Sequence, residues 1–222
     1  MSKLILLLKR RPDLSVESFQ VRWRDHHGPI ATRLPGLRRH VQSHALPQGY
    51  SKRELLFDGI AEFWFDDAAA LDAAVRSTAW TAMEADGADL FDHGRTVRMP
   101  VDVHVIKNLT PPVNAVKNIE FVNRRPGMDL EPFRAYWRER HGPLAATIPV
   151  LVRYEQNHLA MRAYAAGAKP AYDGLAITWF ASTADMKRGT LTEEYRLTRE
   201  DETRFLPDGH LPIIITREHV IM

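Results

Sequence analysis

Residues 133–160 read FRAYWRERHGPLAATIPVLVRYEQNHLA, and residues 19–46 read FQVRWRDHHGPIATRLPGLRRHVQSHAL. Laid side by side without a gap, they share Phe, Trp-Arg, His-Gly-Pro, Ala, Pro, Leu, Arg, Gln and His in the same order and at the same spacing. A repeat of this length decides architecture before any local pattern is read. The match continues outward, with RPDLSVESF (11–19) answering RPGMDLEPF (125–133) and FDGIAEFWF (57–65) answering YDGLAITWF (172–180). Between the copies, NLTPPVNA (108–115) has the polar, proline-containing composition of a connector. We divide the chain into residues 1–109, a linker at 110–115, and residues 116–222.

Each copy alternates between strand-like and helix-like periods. Leu4–Lys9 and Ile119–Asn123 read as short strands, Arg38–Ala45 and Val152–Leu159 as second strands, and Ile60–Phe65 and Leu175–Phe180 as third strands. Phe19, Trp23 and His27 recur at four-residue steps, as do Phe133, Trp137 and His141, so each trio falls on one side of a helix. Ser15 and Asp129 stand as N-caps, and Asp66 and Ser182 as caps of a later helix. Gly28 and Gly142 are expected to end the first helix, with Pro29 and Pro143 opening a short second piece. A final strand (101–107 or 215–222) completes β-α-β-β-α-β, the ferredoxin-like split arrangement. The fold class is therefore α+β: two ferredoxin-like domains in tandem, with their open sheet faces buried together in an intramolecular barrel.

The motif F-x-x-x-W-R-x-x-H-G-P-[IL]-A, followed by P-x-L-x-R and Q-x-H, resembles the EthD family of the dimeric α+β barrel superfamily. The resemblance covers both halves. It implies a barrel that single-domain members build by pairing two chains and that this chain builds alone. It also implies chemistry on small molecules: some fungal relatives are dehydratases or decarboxylases, and more distant ones are cofactor-free monooxygenases, muconolactone isomerases and haem-binding enzymes.

Composition narrows the classes. Thirty Lys plus Arg against 28 Asp plus Glu leaves a formal charge of +2, without the basic arm that nucleic acid would call for. There are no cysteines, which suits a reducing compartment such as the cytoplasm. The apolar opening LILLL is far shorter than the ~20 residues that span a bilayer. No phosphate loop, nucleophile elbow, dinucleotide fingerprint or metal-ligand spacing is present, so no cofactor and no metal are expected.

Candidate site residues follow from strand alternation and from the differences between the copies. Tyr154, Gln156 and His158 share one strand face, matched by His40, Gln42 and His44, and these faces are expected to line the barrel interior and bind substrate. Trp64 and Trp179 are core residues or cavity wall. Glu120 stands where the first copy has Leu6. If Ile119 and Phe121 pack on helices, Glu120 enters the cavity as an acid or base; otherwise it sits solvated at the mouth. His27 and His141 serve either as proton-transfer groups or as partners for helix-end carbonyls, a role that suits both copies alike. The acidic run 192–204 reads as a solvated helix face without a catalytic role.

The combined expectation is a cofactor-independent lyase, a dehydratase or decarboxylase, with monooxygenase and isomerase behind it. Glu120, His158, His44, His141 and His27 would carry its chemistry on a small hydrophobic or aromatic oxygenated molecule. The alternatives are a non-catalytic binding module or a haem-binding barrel. The minimum unit is a monomeric pseudo-dimer, with a homodimer also compatible.

Overall fold

The structure is a computed structural model that describes residues 1–167 and 169–222. In chain order the elements are β1 (Ser2–Leu8), α1 (Val16–Arg22), α2 (Gly28–Ala31), β2 (Leu37–Ala45), β3 (Gly59–Phe65), α3 (Ala68–Val75), α4 (Thr78–Gly87) and β4 (Val97–Asn108). The second set is β5 (Val116–Val122), α5 (Leu130–Tyr136), α6 (Gly142–Ala145), β6 (Leu151–Leu159), β7 (Gly174–Phe180), α7 (Thr183–Gly189), α8 (Glu193–Glu202) and β8 (Ile213–Val220). The eight strands form a closed barrel in the order β1-β3-β2-β8-β5-β7-β6-β4. Among the described residues, no helix is long and apolar enough to cross a membrane.

Two compact units emerge, and they divide differently from the sequence repeats. The first is Met1–Val101 with Thr216–Met222, and the second is Asp102–Ile215. Each repeat thus surrenders the end of its last strand to the other unit. In the first unit β1 pairs with β3 and β4, and β2 with β3 and β8, all antiparallel. In the second, β5 and β6 flank β7, also antiparallel.

Register places equivalent residues in rows. In the first unit the rows across β1, β3 and β2 are Leu4–Phe63–His40, Leu6–Ala61–Gln42 and Leu8–Gly59–His44. In the second, across β5, β7 and β6, they are Asn118–Thr178–Tyr154, Glu120–Ala176–Gln156 and Val122–Gly174–His158. Both grids face the helices. Leu4, Leu6, Leu8, Ala61 and Phe63 form one buried cluster with Phe19, Trp23, Trp80 and Met83 from the helical layer.

That placement corrects the expected facing. The alternation holds, but it is Leu6 and Glu120 that face the helices, while Ile5, Leu7, Ile119 and Phe121 lie on the opposite face. Both faces of β1 are buried, so an unbroken apolar run carries parity without telling which side meets the helices. The opposite face holds Lys3, whose Nζ is 2.7 Å from Glu62 Oε2 with both side chains 1% exposed. Trp64 lies beneath the charges of Lys3 and Arg39, and Trp179 beneath Lys117 and Arg153, at 4.7–5.5 Å.

Local expectations are revised in two places. Gly28 and Gly142 do not end the helix: both have right-handed helical angles, and a π-helical turn (Trp23–His27 or Trp137–His141) carries α1 into α2 and α5 into α6. The cap of α3 is Asp67, whose side chain accepts from Ala70 N, and Asp66 pairs instead with Arg38. Ser15 and Ser182 do cap their helices through Ser18 N and Asp185 N. Asp129 holds the N-cap position with extended backbone but makes no side-chain cap bond.

Candidate active site

The π turn is the first element that positions the site. The backbone N–H groups of Gly28 and Gly142 donate across the turn to Trp23 O and Trp137 O, and a glutamine from the sheet gives each carbonyl a second donor. Gln42 Nε2 donates to Trp23 O at 2.9 Å, and Gln156 Nε2 to Trp137 O at 2.7 Å. This close approach requires glycine, because a Cβ on Gly28 or Gly142 would lie 3.0 or 2.9 Å from that amide nitrogen.

Fixing the amide fixes its neighbour. With Nε2 committed as donor, Gln156 Oε1 must accept from His158 Nε2 (3.1 Å), and Gln42 Oε1 from His44 Nε2 (2.9 Å). Each histidine stacks on the π-turn tryptophan at 4.3 Å and 7°. Burial lowers the pKa of both to about 2, with His219 beside His44 and His104 beside His158 adding to it. His44 and His158 are therefore neutral, locked rings, identical in both units. His40, lowered to about 4 by burial, stacks on Phe63. None of these rings faces away from the helices as expected.

His27 and His141 occupy the joint between the π turn and the next helix. Their partners are carboxylates on the last helix of each unit, not carbonyls: His27 Nδ1 is 2.7 Å from Asp86 Oδ2, and His141 Nδ1 is 3.0 Å from Asp201 Oδ2. Asp201 also accepts from Tyr136 Oη at 2.5 Å, and the bond from His141 holds its carboxyl below the ordinary range.

The units then diverge. Between the sheet and helices of the second unit lies a cavity of about 170 Å³, bordered by Asn118, Glu120, His141, Tyr154, Tyr195 and Glu202 among others. The matching space in the first unit is about 40 Å³, bordered by Leu6, Trp80, Met83 and Gly87. Counted from the caps Ser77 and Thr192, Trp80, Met83 and Gly87 hold the places of Tyr195, Thr198 and Glu202. One half is nearly filled by large apolar side chains, and the other leaves room for a cavity in which Asn118, Glu120, Tyr195 and Glu202 stand among apolar neighbours.

Within that pocket Asn118 Nδ2 donates to Glu120 Oε1 at 2.9 Å. Glu202 is paired with Arg199, yet burial, reinforced by the charge of Glu120, raises its pKa to about 7. It can hold a proton at neutral pH and release it nearby. The Tyr154 oxygen accepts from Trp137 Nε1 (3.2 Å) and Gln156 Nε2 (3.1 Å), and burial pushes its pKa up, so it remains a protonated hydroxyl.

The structure thus brings Glu120, His141 and Tyr154 to one cavity, with Gln156 and His158 behind them. It leaves His27, His40, Gln42 and His44 in the first unit, and Trp64 and Trp179 on the opposite sheet face. Glu202 and Asp201 were missed because run 192–204 reads as a solvated face. The signal was present: Glu202 answers Gly87, just as Glu120 answers Leu6. A haem does not fit here, since about 170 Å³ is the scale of a cavity that holds benzene, well short of a porphyrin.

Duplicated ferredoxin-like layers with a pocket between sheet and helices define a tandem α+β barrel protein. The EthD domain model matches residues 11–94 and again 125–208, and the chain belongs to the EthD family. A search of curated proteins found no match. Among solved structures the chain is similar to an anthrone oxidase-like protein (10% identity, TM-score 0.63, 99% of this chain and 92% of that one). It is also similar to a proposed monooxygenase from Lactobacillus acidophilus NCFM (12%, 0.56, 100% and 94%). A chlorite dismutase mutant from Candidatus Nitrospira defluvii aligns as well (12%, 0.53, 99% and 91%). At such identities the likeness is one of fold.

Proposed function

We propose that the second unit is the active site of a cofactor-independent lyase that eliminates water from a small, largely apolar hydroxy-carbonyl compound, and that the first unit is its structural counterpart. The observation that carries this reading is the pair Glu120 and Glu202, present only where the duplicate has Leu6 and Gly87. Two carboxyl groups bordering one cavity, with Glu202 raised to about 7 by burial and the charge of Glu120, can act as an acid and a base. Glu120 takes the proton next to the carbonyl, and Glu202 delivers its proton to the departing hydroxyl, releasing water and an unsaturated product. His141, oriented by Asp201, is a further proton acceptor bordering the cavity. The apolar remainder of the cavity keeps solvent from competing.

Dehydration suits this site better than decarboxylation. A substrate carboxylate would bring a second negative charge beside Glu120, and Arg199 is already engaged with Glu202. The test is conversion of a panel of single-ring β-hydroxy ketones, followed as enone absorbance. Glu120→Gln and Glu202→Gln should each lower kcat by ~10²-fold or more, and unchanged turnover in both defeats the reading. A protein that retains such ligands without converting them would be a binding module instead.

A further inference from the structure

Two polar groups in the second unit have hydrogen-bonding capacity that the protein does not use, and they stand in one row of the sheet. Tyr154 is the first. Its oxygen accepts from both Trp137 Nε1 and Gln156 Nε2. A phenol oxygen so occupied must send its own hydrogen elsewhere, and no described residue takes it. The direction is fixed from behind: Gln156 Nε2 also holds Trp137 O, and Gln156 Oε1 is held by His158, so the amide cannot turn to accept from Tyr154.

Asn118 is the second. Its Nδ2 faces the Glu120 carboxylate, so Oδ1 is the free end of the amide, and that oxygen is buried without a donor. A buried acceptor left unmade costs about 1–3 kcal/mol, which marks it as a place where a partner belongs. Asn118 and Tyr154 both stand opposite Thr178, on either side of β7, so their backbones are two strand spacings apart, about 10 Å. The first unit has Leu4 and His40 at these positions, flanking Phe63.

We infer that the cavity recognises a single-ring compound by two oxygens: a carbonyl that accepts from Tyr154 and a hydroxyl that donates to Asn118. A space of about 170 Å³ compares with the ~150 Å³ that holds one benzene ring, so a ring with short substituents fills it. The inference rests on the second unit being the functional half. It specifies the ligand's acceptor and donor without depending on which bond is broken.

The experiment is calorimetric titration of the full chain with acetophenone and with para-hydroxyacetophenone. Tyr154→Phe should weaken both about tenfold, the loss of one well-made buried hydrogen bond. Asn118→Leu, which copies Leu4, should leave acetophenone unchanged and abolish the extra affinity that the hydroxyl confers. In the wild type, the infrared carbonyl stretch of bound acetophenone should fall to lower frequency, a reading that needs no variant to fold. Failure of either ligand to bind, acetophenone binding unaffected by Tyr154→Phe, an unshifted carbonyl, or a hydroxyl gain surviving Asn118→Leu would overturn it. Because none of these measurements involves turnover, the lyase reading stands or falls separately, on Glu120 and Glu202.

Discussion

His141 Nδ1 and Asp201 Oδ2 meet at 3.0 Å in the second unit as His27 Nδ1 and Asp86 Oδ2 meet at 2.7 Å in the first. The same bond in both units ties the His-Gly-Pro joint to the last helix, so its primary role is architectural. In the second unit the ring borders the cavity of about 170 Å³, and in the first only the space of about 40 Å³. Asp86→Ala should leave a buried imidazole nitrogen without its acceptor and destabilise the protein by about 1–3 kcal/mol, read as a lower urea midpoint. Asp201→Ala should match that loss and in addition reduce kcat, because the His141 ring is no longer oriented.

Stability should fall in acid. His44 and His158, lowered to about 2, and His40, lowered to about 4, each titrate near 6.5 once unfolded. Their contribution is complete above pH 6.5 and is lost as pH drops toward those folded values. Glu202 works in the opposite sense. Its folded value near 7 exceeds its ordinary 4.5, so its contribution is complete below pH 4.5 and is lost as pH rises to 7. Three histidines outweigh one glutamate, so urea midpoints should decrease below pH 6.5. Glu202→Gln should make that decrease steeper, since the opposing group is gone.

Exchanging the copies' residues should have unequal outcomes. Leu6→Glu places a charge in a packed apolar cluster with only about 40 Å³ of space beside it, a loss of about 3–5 kcal/mol by analogy with an uncompensated buried charge. Glu120→Leu should leave the fold intact or stabilise it by up to about 2 kcal/mol, as relaxing a functional site commonly does. It should also shift the Glu202 titration to lower pH, because the charge that helps raise it has been removed. Carboxyl-selective infrared titration of the two proteins checks the shift.

Gly59 and Gly174 are predicted to tolerate no side chain. A Cβ at Gly59 would stand 2.5 Å from Ser43 O and 2.7 Å from the Trp23 ring, and at Gly174 2.6 Å from Asn157 O and 2.8 Å from the Trp137 ring. The indole can only lie flat on His44 or His158 where the neighbouring strand offers bare backbone. Alanine at either position should cost more than about 3 kcal/mol, beyond the usual range of overpacking, and near-ultraviolet circular dichroism should show the tryptophan environment lost. Alanine at Gly94, whose nearest contact is 3.4 Å away, is the control.

How much of this was legible depended on what each residue touches. The repeat, the strand order within each copy and the sharing of one face by Tyr154, Gln156 and His158 follow from spacing alone. Which face meets the helices does not, because Leu4–Leu8 is buried on both sides, so spacing alone cannot tell the barrel interior from the layer under the helices, where the cavity lies. Glu120 was found by comparing the copies. Glu202 was not, since its neighbours Glu193 and Glu200 do face solvent and conceal the three inward positions of α8. The π turn has no signature beyond His-Gly-Pro itself, whose glycine reads as a helix end and serves as a seat for glutamine.

The exchange of strand ends has a consequence in time. During synthesis the first unit receives Thr216–Met222 only after Asp102–Ile215 has been made, because β2 is completed by β8 at Val41–Val220 through Ala45–Thr216. Until then β2 has a bare edge, the kind of surface on which unfinished chains pair wrongly. The half that begins first therefore waits on the whole of the other before its own sheet is complete.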